Sequence, residues 1–359
     1  MNLIQGAGIR FGELSRALVK ASRKMQNPVL IELTRGRLVE STHCGTIAVV
    51  RADGEIVAGI GDTARPVFPR SAIKPLQAFP FLETGAADRF GFGEAEIAIA
   101  CASHTGTSRH TGLVAAMLQR VGLSAEALGC GTHEPTHAAT QRELIRSGAH
   151  PSPLHHNCSG KHAAMLATAV HRTEPTEGYW RPDHPVQQRI RRALEDMTGA
   201  TLGADVCGID GCSVPNWAIP LAGLAHAFAR LGSGAGLAAQ HAATATRIAS
   251  ACWAHPDLVA GPGALVTEVM LRLPGRVLVK SGAEAVYCGA LPEHGLGFAL
   301  KIDDGTKRAA EAALVHLIAH YYPTVRDLGP SARLTNWRGL EVGEMRPSPE
   351  LAAMLARLP

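Results

Sequence analysis

The first residues that could do chemistry lie between Phe68 and Gln77. Here Ser71 and Lys74 stand three positions apart, where a loop enters a short apolar segment. On a helix this spacing places both side chains on one face. A serine hydroxyl is a weak nucleophile until a base takes its proton, and a lysine kept neutral by burial or by a cation such as Arg70 can be that base. The alternative is a helix-capping serine beside a surface lysine, so other residues must decide.

Two further stretches offer partners for such a pair. Ser103 and His104 follow the apolar segment at 97–102 and open a loop of small polar residues. They suit a nucleophile with its base or a pair of substrate-binding groups, although a polar cap on a helix end is the plainer interpretation. Lys280 ends an apolar, strand-like segment and precedes a Ser-Gly pair. It either enters a site or leaves the sheet for solvent.

Thiols and imidazoles are grouped at Leu154–His162 and at Cys207–Cys212. Thiolate sulfur and imidazole nitrogen are the usual ligands of zinc in proteins. The spacing matches no standard finger or ribbon, and packing cysteines in glycine-rich turns would explain it as well. By residue type alone, His162 and Cys207 are the first candidates for further ligands.

The elements that must position these residues come in three blocks. Strand-like segments are predicted at 29–34, 46–51 and 55–58, and again at 276–280, 284–290 and 297–302. Helical periodicity lies between them, at 108–121, 158–172, 184–197, 217–231, 237–254 and 264–272. A later helix is expected near 306–321 and a last extended stretch near 337–344.

This layout predicts an α+β fold in which one antiparallel sheet is built from both ends of the chain. The sheet lobe would comprise about residues 25–70 and 274–359, and the inserted helical lobe about 71–273. Strands joined by short turns favour antiparallel pairing, and the helices must cover the sheet. Ser71 then lies where the chain passes from sheet to helices, so we expect the active-site cleft there.

Composition excludes several classes of protein. The net charge of +4 on 359 residues is small and scattered, and no basic segment is interleaved with aromatic residues, so nucleic acid is not an expected partner. No apolar stretch is long enough to suggest a membrane span. Eight dispersed cysteines without a signal peptide indicate reduced thiols and a cytoplasmic location. Residues 1–24 are basic and unlike the rest, so we interpret them as an extension that precedes a functional start at Met25; the alternative is a basic amphipathic helix that packs on the surface.

Taken together, a Ser-x-x-Lys pair, a second serine and a late Lys-Ser-Gly resemble the pattern of penicillin-recognising serine enzymes. In detail the chain is more similar to the asparaginase II family, the rhizobial-type L-asparaginases, from about Asn27 to the C-terminus. The motifs that carry this resemblance are Glu40–Gly45, Arg70–Pro75, Ala100–His104, Asn157–His162, Gly208–Cys212, Lys280–Glu284 and Lys301–Gly305. Read alone, the first of these would be only a polar turn. The resemblance implies a β-lactamase-like arrangement of sheet and helices.

The resemblance also implies roles for individual residues. Two catalytic pairs are implied, Ser71 with Lys74 and Ser103 with Lys280. A metal site, usually zinc, is implied at Cys158, Lys161 and Cys212, where lysine is an unusual ligand because only the neutral amine can coordinate. Candidates for holding the amine and carboxylate of the substrate are Arg70, His104, His162 and Asp210.

The expected reaction is hydrolysis of L-asparagine to L-aspartate and ammonia through a serine acyl-enzyme, in a homodimer. Glutaminase is a near rival, since its substrate differs by one methylene. A β-lactamase is less favoured, because Ser103-His104-Thr105 stands where those enzymes usually carry Ser-x-Asn. A rival of another class is a non-catalytic, zinc-stabilised binding protein in which these serines and lysines are merely polar.

Overall fold

The computed structural model describes residues 27–359, so the expected extension at 1–24 lies outside the described residues. Within this part of the chain, every helix is too short or too polar to cross a lipid bilayer. The strands are β1 (Val29–Arg35), β2 (Leu38–Arg51), β3 (Ile56–Ile60), β4 (Pro66–Val67), β5 (Cys207–Ile209), β6 (Pro215–Trp217), β7 (Ile219–Pro220), β8 (Leu278–Gly282), β9 (Val286–Leu291), β10 (Leu296–Ile302), β11 (Arg333–Thr335) and β12 (Glu341–Pro347).

One antiparallel sheet joins the two ends of the described chain, as predicted. Its strand order is β11-β12-β1-β2-β10-β9-β8, and β3 pairs with β2 beside this path. Strand β10 runs along β2 from the pair Leu296 and Arg51 to the pair Ile302 and Gly45. Strand β9 is buried along its whole length, which explains its continuous apolar sequence, since a strand covered on both faces loses the polar alternation.

Helices fill the middle of the chain and also cover the sheet. They are α1 (Lys74–Gln77), α2 (Phe79–Glu83), α3 (Ala86–Arg89), α4 (Glu94–Ala100), α5 (Ser108–Arg120), α6 (Ala138–Ser147), α7 (Ser159–His171), α8 (Pro185–Thr198), α9 (Leu221–Ser233), α10 (Ala239–Ala254), α11 (Pro256–Ala260), α12 (Leu265–Arg272), α13 (Lys307–Tyr321) and α14 (Pro349–Leu355). Helix α9 packs against β2, β9 and β10, while α13 contacts β1, β10 and β12. The α+β prediction is therefore confirmed.

One local prediction was wrong, and one helix was not predicted. The polar stretch Glu40–Gly45 is part of β2 rather than a turn, because Ser41, Thr42 and His43 pair with β1. Helix α6 was not among the predicted helices; it is ten residues long and buries none of them.

Two short antiparallel pairs of strands lie outside the large sheet and position segments of the site. Strand β4 pairs with β7, through Val67 and Ile219. Strand β5 pairs with β6, through Cys207 and Trp217. The first pair leads directly into the segment that carries Ser71. The second forms a hairpin whose turn, at 210–214, carries the Asp210 and Cys212 side chains.

Candidate active site

Ser71 lies in a tight turn rather than a regular helix. Residues Arg70–Ile73 form a 3-10 turn, and α1 begins at the buried Lys74. Arg70 has φ of 52°, a left-handed conformation that is uncommon for a residue other than glycine. Such backbone strain persists only where the surrounding structure holds it, and it is frequent at functional sites. Residues three apart eclipse on a 3-10 turn, so Ser71 and Lys74 still point to one side.

Gly282 allows strand β8 to lie against this turn. A Cβ atom at position 282 would stand 2.4 Å from the carbonyl oxygen of Pro69 and 3.0 Å from the amide nitrogen of Ala72. A side chain there would push β8, and with it Lys280, away from the turn that carries Ser71. The glycine of the Lys-Ser-Gly motif is therefore required by the close approach of two backbones.

Gly160 likewise allows two backbone segments to lie close together, here beside the loop that carries Ser103. A Cβ atom at position 160 would stand 2.2 Å from the carbonyl oxygen of Ile99. Helix α7 can therefore begin directly beside the end of α4, from which the chain runs into Ser103. The amide of Ser103 donates to the carbonyl of Val259 at 2.8 Å, which fixes the loop from the other side.

The Ser103 hydroxyl is the point on which two buried lysines converge. The Nζ of Lys280 lies 2.8 Å from Ser103 Oγ, and the Nζ of Lys74 lies 3.1 Å from the same oxygen. The amine of Lys74 also donates to the carbonyl of Ala102 and, at 3.3 Å, to that of Asn157. Sequence reasoning missed these two carbonyl groups, because a backbone acceptor leaves no mark on residue type.

The Ser71 hydroxyl is placed differently. Within residues 27–359, no hydrogen bond involves its side chain, and neither lysine amine donates to it. The structure thus brings together Ser103, Lys74 and Lys280, with Ser71 on the neighbouring turn. The proposed pairing of Ser71 with Lys74 stays a prediction. A catalytic contact is often absent before substrate binds, so this geometry does not exclude Ser71 as the nucleophile.

The environment of Lys280 favours the neutral amine. Burial, followed by the positive charge of Lys74, lowers the pKa of Lys280 to about 7. Thiol groups at Cys158 and Cys101 act in the opposite direction but more weakly. A lysine with this pKa is partly neutral near pH 7, so it can accept a proton from a hydroxyl.

Cys158, Lys161 and Cys212 form a second buried cluster. The Nζ of Lys161 lies 3.1 Å from the Sγ of Cys212, and the two thiols are in hydrogen-bond contact. That contact is the main cause of a lowered pKa at Cys158 and of a raised pKa at Cys212. Burial lowers the pKa of Lys161. The hydrogen-bonded thiol pair of Cys212 and Cys158, which shares one negative charge, and the carboxylate of Asp210 raise that pKa by more than burial lowers it. Lys161 is therefore an ammonium ion in this arrangement.

These residues fit a zinc ion only if lysine is one of the ligands. No group of three or more His, Cys, Asp and Glu side chains within residues 27–359 is arranged to hold a metal ion. The two thiols are in contact, and the amine of Lys161 lies 3.1 Å from the Sγ of Cys212. Zinc would have to displace the thiol protons and the extra proton of Lys161, as metal binding to such ligands requires. Cys207, on β5, donates to the carbonyl of Gly208 and is not part of this cluster.

Arg70 and Asp210 form an ion pair between the two clusters. The Nε of Arg70 lies 2.6 Å from Asp210 Oδ1. The second carboxylate oxygen, Oδ2, has only the thiol of Cys212 at 3.8 Å. This leaves one oxygen of Asp210 and the terminal nitrogens of Arg70 available for the opposite charges of an amino-acid substrate.

The two candidate histidines are both buried, but their nitrogens are used differently. His104 accepts from the amide of Gly106 at 3.1 Å and lies 2.8 Å from the hydroxyl of Ser159. His162 contacts the hydroxyl of Tyr179 at 2.6 Å, while its Nε2 has no hydrogen-bond partner in the described part of the chain. Burial lowers the pKa of both rings well below its usual value. Both are therefore neutral, and only His162 has a ring nitrogen to spare.

An antiparallel sheet with an inserted helical block, and a serine hydroxyl between two buried lysines, indicate a hydrolase. The profile of the L-asparaginase II family matches residues 31–347, so the chain belongs to that family. No curated protein matches the chain. Among solved structures, a β-lactamase from Mycobacterium bovis is similar at 16% sequence identity, over 79% of this chain and 92% of that one, with a TM-score of 0.36. At this level of similarity, the β-lactamase says nothing about the reaction of this chain.

Proposed function

We propose that this protein is an L-asparagine amidohydrolase that works through a serine acyl-enzyme. The observation that carries the proposal is the Ser103 hydroxyl, which lies 2.8 Å from Lys280 Nζ and 3.1 Å from Lys74 Nζ beside the turn of Ser71. Membership of the L-asparaginase II family supports an amide as the substrate. Two amines on one hydroxyl form a route along which a proton can move between Lys74 and Lys280, and we propose that substrate binding brings the Ser71 hydroxyl to Lys74.

In the proposed reaction, Lys74 passes its extra proton through the Ser103 hydroxyl to the neutral amine of Lys280. Lys74 then takes the proton of Ser71, while Ser71 Oγ attacks the side-chain amide carbon of asparagine. The carbon–nitrogen bond then breaks, and the nitrogen leaves as ammonia after receiving a proton through Ser103 and Lys280. An ester between Ser71 and the aspartyl group remains. Water adds to this ester, aspartate is released, and the proton returns to Ser71. Atoms and charges balance as one amide and one water giving one carboxylate and one ammonium ion.

Substrate recognition is proposed to use the ion pair between the clusters. Arg70 would bind the α-carboxylate and Asp210 the α-ammonium of asparagine, since both keep polar atoms available. His162 would add its unpartnered Nε2. His104 has protein partners on both ring nitrogens, so we assign it to positioning the Ser103 loop.

A zinc ion at Cys158, Lys161 and Cys212 would supply a fixed positive charge close to Asp210. It would hold the β5–β6 hairpin against α7, because Cys212 comes from the hairpin turn and Lys161 from the helix. None of the proton transfers above passes through it. The expected homodimer and cytoplasmic location also stay predictions.

The test is ammonia release with the serine variants Ser71→Ala and Ser103→Ala, and with Ser147→Ala as a matched control. Ser147 lies on the exposed end of α6 and donates only to its own helix. We expect Ser71→Ala to lose about 10⁴-fold in kcat, the control to keep it, and intact-mass spectrometry to find an aspartyl adduct only in proteins that retain Ser71. An adduct in Ser71→Ala that disappears in Ser103→Ala would make Ser103 the nucleophile.

Substrate choice decides between the rival functions. We expect L-asparagine to have a higher kcat/KM than L-glutamine, and a β-lactam to show no turnover. Faster turnover of glutamine would make the protein a glutaminase. No turnover of any amide by folded, zinc-loaded protein would favour the non-catalytic binding protein and refute the proposed reaction.

A further inference from the structure

A large cavity opens beside the ion pair, and Arg70 is the one described residue of its wall that has a part in the reaction above. Its volume is about 710 Å³, and Arg70 forms part of its wall, so it adjoins the turn that carries Ser71. This volume lies in the range of sites that enclose drug-sized ligands. Free asparagine is much smaller than such ligands and would leave most of the cavity to water.

Two almost buried polar side chains in the cavity wall lack partners. Thr46, on β2, is 3% exposed, and Asn216, on β6, is 5% exposed. Both line the cavity, and no hydrogen bond within residues 27–359 involves the hydroxyl of Thr46 or the side-chain amide of Asn216. Buried polar groups are normally paired, so those that are not mark places where a ligand or water supplies the partner. A hydroxyl and an amide together match the N–H and C=O groups of a peptide bond.

Charged groups on the same wall are also incompletely paired. The guanidinium of Arg65 reaches Asp303 only at 3.9 Å. The carboxylate of Glu284, which follows the Lys-Ser-Gly motif, accepts no hydrogen bond in the described part of the chain. A guanidinium binds carboxylates and a carboxylate binds ammonium groups. One cavity therefore offers partners for a chain terminus of either sign and for the peptide group between them.

We propose that this outer cavity, lined by Thr46, Arg65, Asn216 and Glu284, binds the backbone of a short peptide whose asparagine side chain is the reacting amide. The proposal rests on the proposed function, because Ser71 and Lys74 would act on the side-chain amide as they do on free asparagine. Water converts that amide to a carboxylate and releases ammonia, and the peptide bond stays intact. The substrate class thus includes asparagine within a dipeptide as well as the free amino acid.

The experiment compares kcat/KM for L-asparagine, glycyl-L-asparagine and L-asparaginyl-glycine, measured as ammonia release. The variants are Arg65→Gln and Thr46→Val, which remove a charge and a hydroxyl with little change of shape. The matched control is Arg51→Gln, since Arg51 is exposed to a similar degree and pairs with Glu55 away from the cavity. We expect the wild-type protein to hydrolyse at least one dipeptide. Each cavity variant should lose about tenfold for that dipeptide and less than about twofold for free asparagine.

Hydrolysis of asparagine without measurable hydrolysis of either dipeptide would overturn the subsite and leave the proposed function standing. Equal losses for dipeptide and free asparagine would also overturn it, because the residues would then bind the amino acid itself. If no amide is hydrolysed at all, the proposed function fails. Calorimetric titration of the wild-type protein and Arg65→Gln with both dipeptides then decides separately: weaker binding to the variant supports the cavity, and equal or absent binding refutes it.

Discussion

Lys161 and Lys280 are both almost completely buried, at 3% and 0% exposure, yet their surroundings favour opposite charge states. Lys280 faces the cation of Lys74 and has a pKa lowered to about 7 by burial and by that charge. Lys161 faces a thiol pair that shares one negative charge and the carboxylate of Asp210, and together these raise its pKa against the effect of burial. Burial alone therefore does not decide whether a lysine is charged. The neighbouring charges do, and the two clusters of this site differ in that respect.

The difference suits two tasks. A neutral amine beside the Ser103 hydroxyl can accept a proton, whereas an ammonium ion beside the thiol pair balances its negative charge. The clusters are only a few residues apart, because Asn157 supplies a carbonyl to Lys74 and Cys158 follows directly. The short segment at the start of α7 therefore contributes a residue to each of the two clusters.

The largest expected effect comes from making Lys280 permanently charged. Lys280→Arg should lose about 10³-fold in kcat, because a guanidinium cannot be deprotonated at accessible pH and so cannot act as a base. Lys74→Arg should show a loss of kcat of similar size, for the same reason. Stopped ammonia assays on both, beside Lys307→Arg at an exposed position on α13, measure it. Substantial activity in Lys280→Arg would mean that this side chain only supplies charge, as Lys161 does.

A smaller effect is expected from the second cluster. Lys161→Met should lower the zinc content of the purified protein and raise KM by about 10- to 100-fold, with kcat changed less. Elemental analysis measures the zinc content of Lys161→Met and Cys212→Ser. The matched control is Cys207→Ser, because Cys207 lies outside the cluster. Full zinc in Lys161→Met would show that the thiols suffice and that Lys161 works as a cation.

Much of this arrangement was predictable from sequence. The helices at 108–121 and 158–172 correspond to α5 (Ser108–Arg120) and α7 (Ser159–His171) within two residues. Helix α5 has an apolar face, and α7 is buried over most of its length. The origin of the sheet in both chain ends followed from the order of elements. The family resemblance named the residues of both clusters, but their contacts could not be read from it. That both lysines meet at Ser103 depends on backbone approaches that Gly160 and Gly282 permit, and such contacts between distant segments leave no local pattern.

The pH dependence sharpens the comparison further. Since Lys280 must be neutral to accept a proton, kcat/KM should rise about tenfold per pH unit below its pKa of about 7 and level off above it. Lys161 should not titrate in this range, because its pKa is raised. Initial rates at low asparagine concentration across about pH 5.5 to 8.5 test this, with far-UV circular dichroism as the control for folding. A profile without any slope would assign the base to another group.

The smallest effect concerns stability. The pKa of Lys280 falls from 10.5 to about 7 on folding, so the unfolded chain binds this proton more tightly, and the residue destabilises the fold. The cost is complete below about pH 7, declines as pH rises toward 10.5 and is absent above it. Lys280→Met should therefore be inactive but more stable at pH 6.5, by about 1–2 kcal/mol, since the carbonyl of Ser281 loses its donor and offsets part of the gain. Urea unfolding at pH 6.5 and 9.5 measures the free energy of unfolding of Lys280→Met and of the wild-type protein, and the gain in stability should shrink at the higher pH.

Lys161→Met should instead be less stable than the wild-type protein, because removing an ammonium ion leaves the thiolate and Asp210 without their counter-charge. Equal destabilisation by Lys280→Met and Lys161→Met would mean that both lysines carry the same charge in the folded protein.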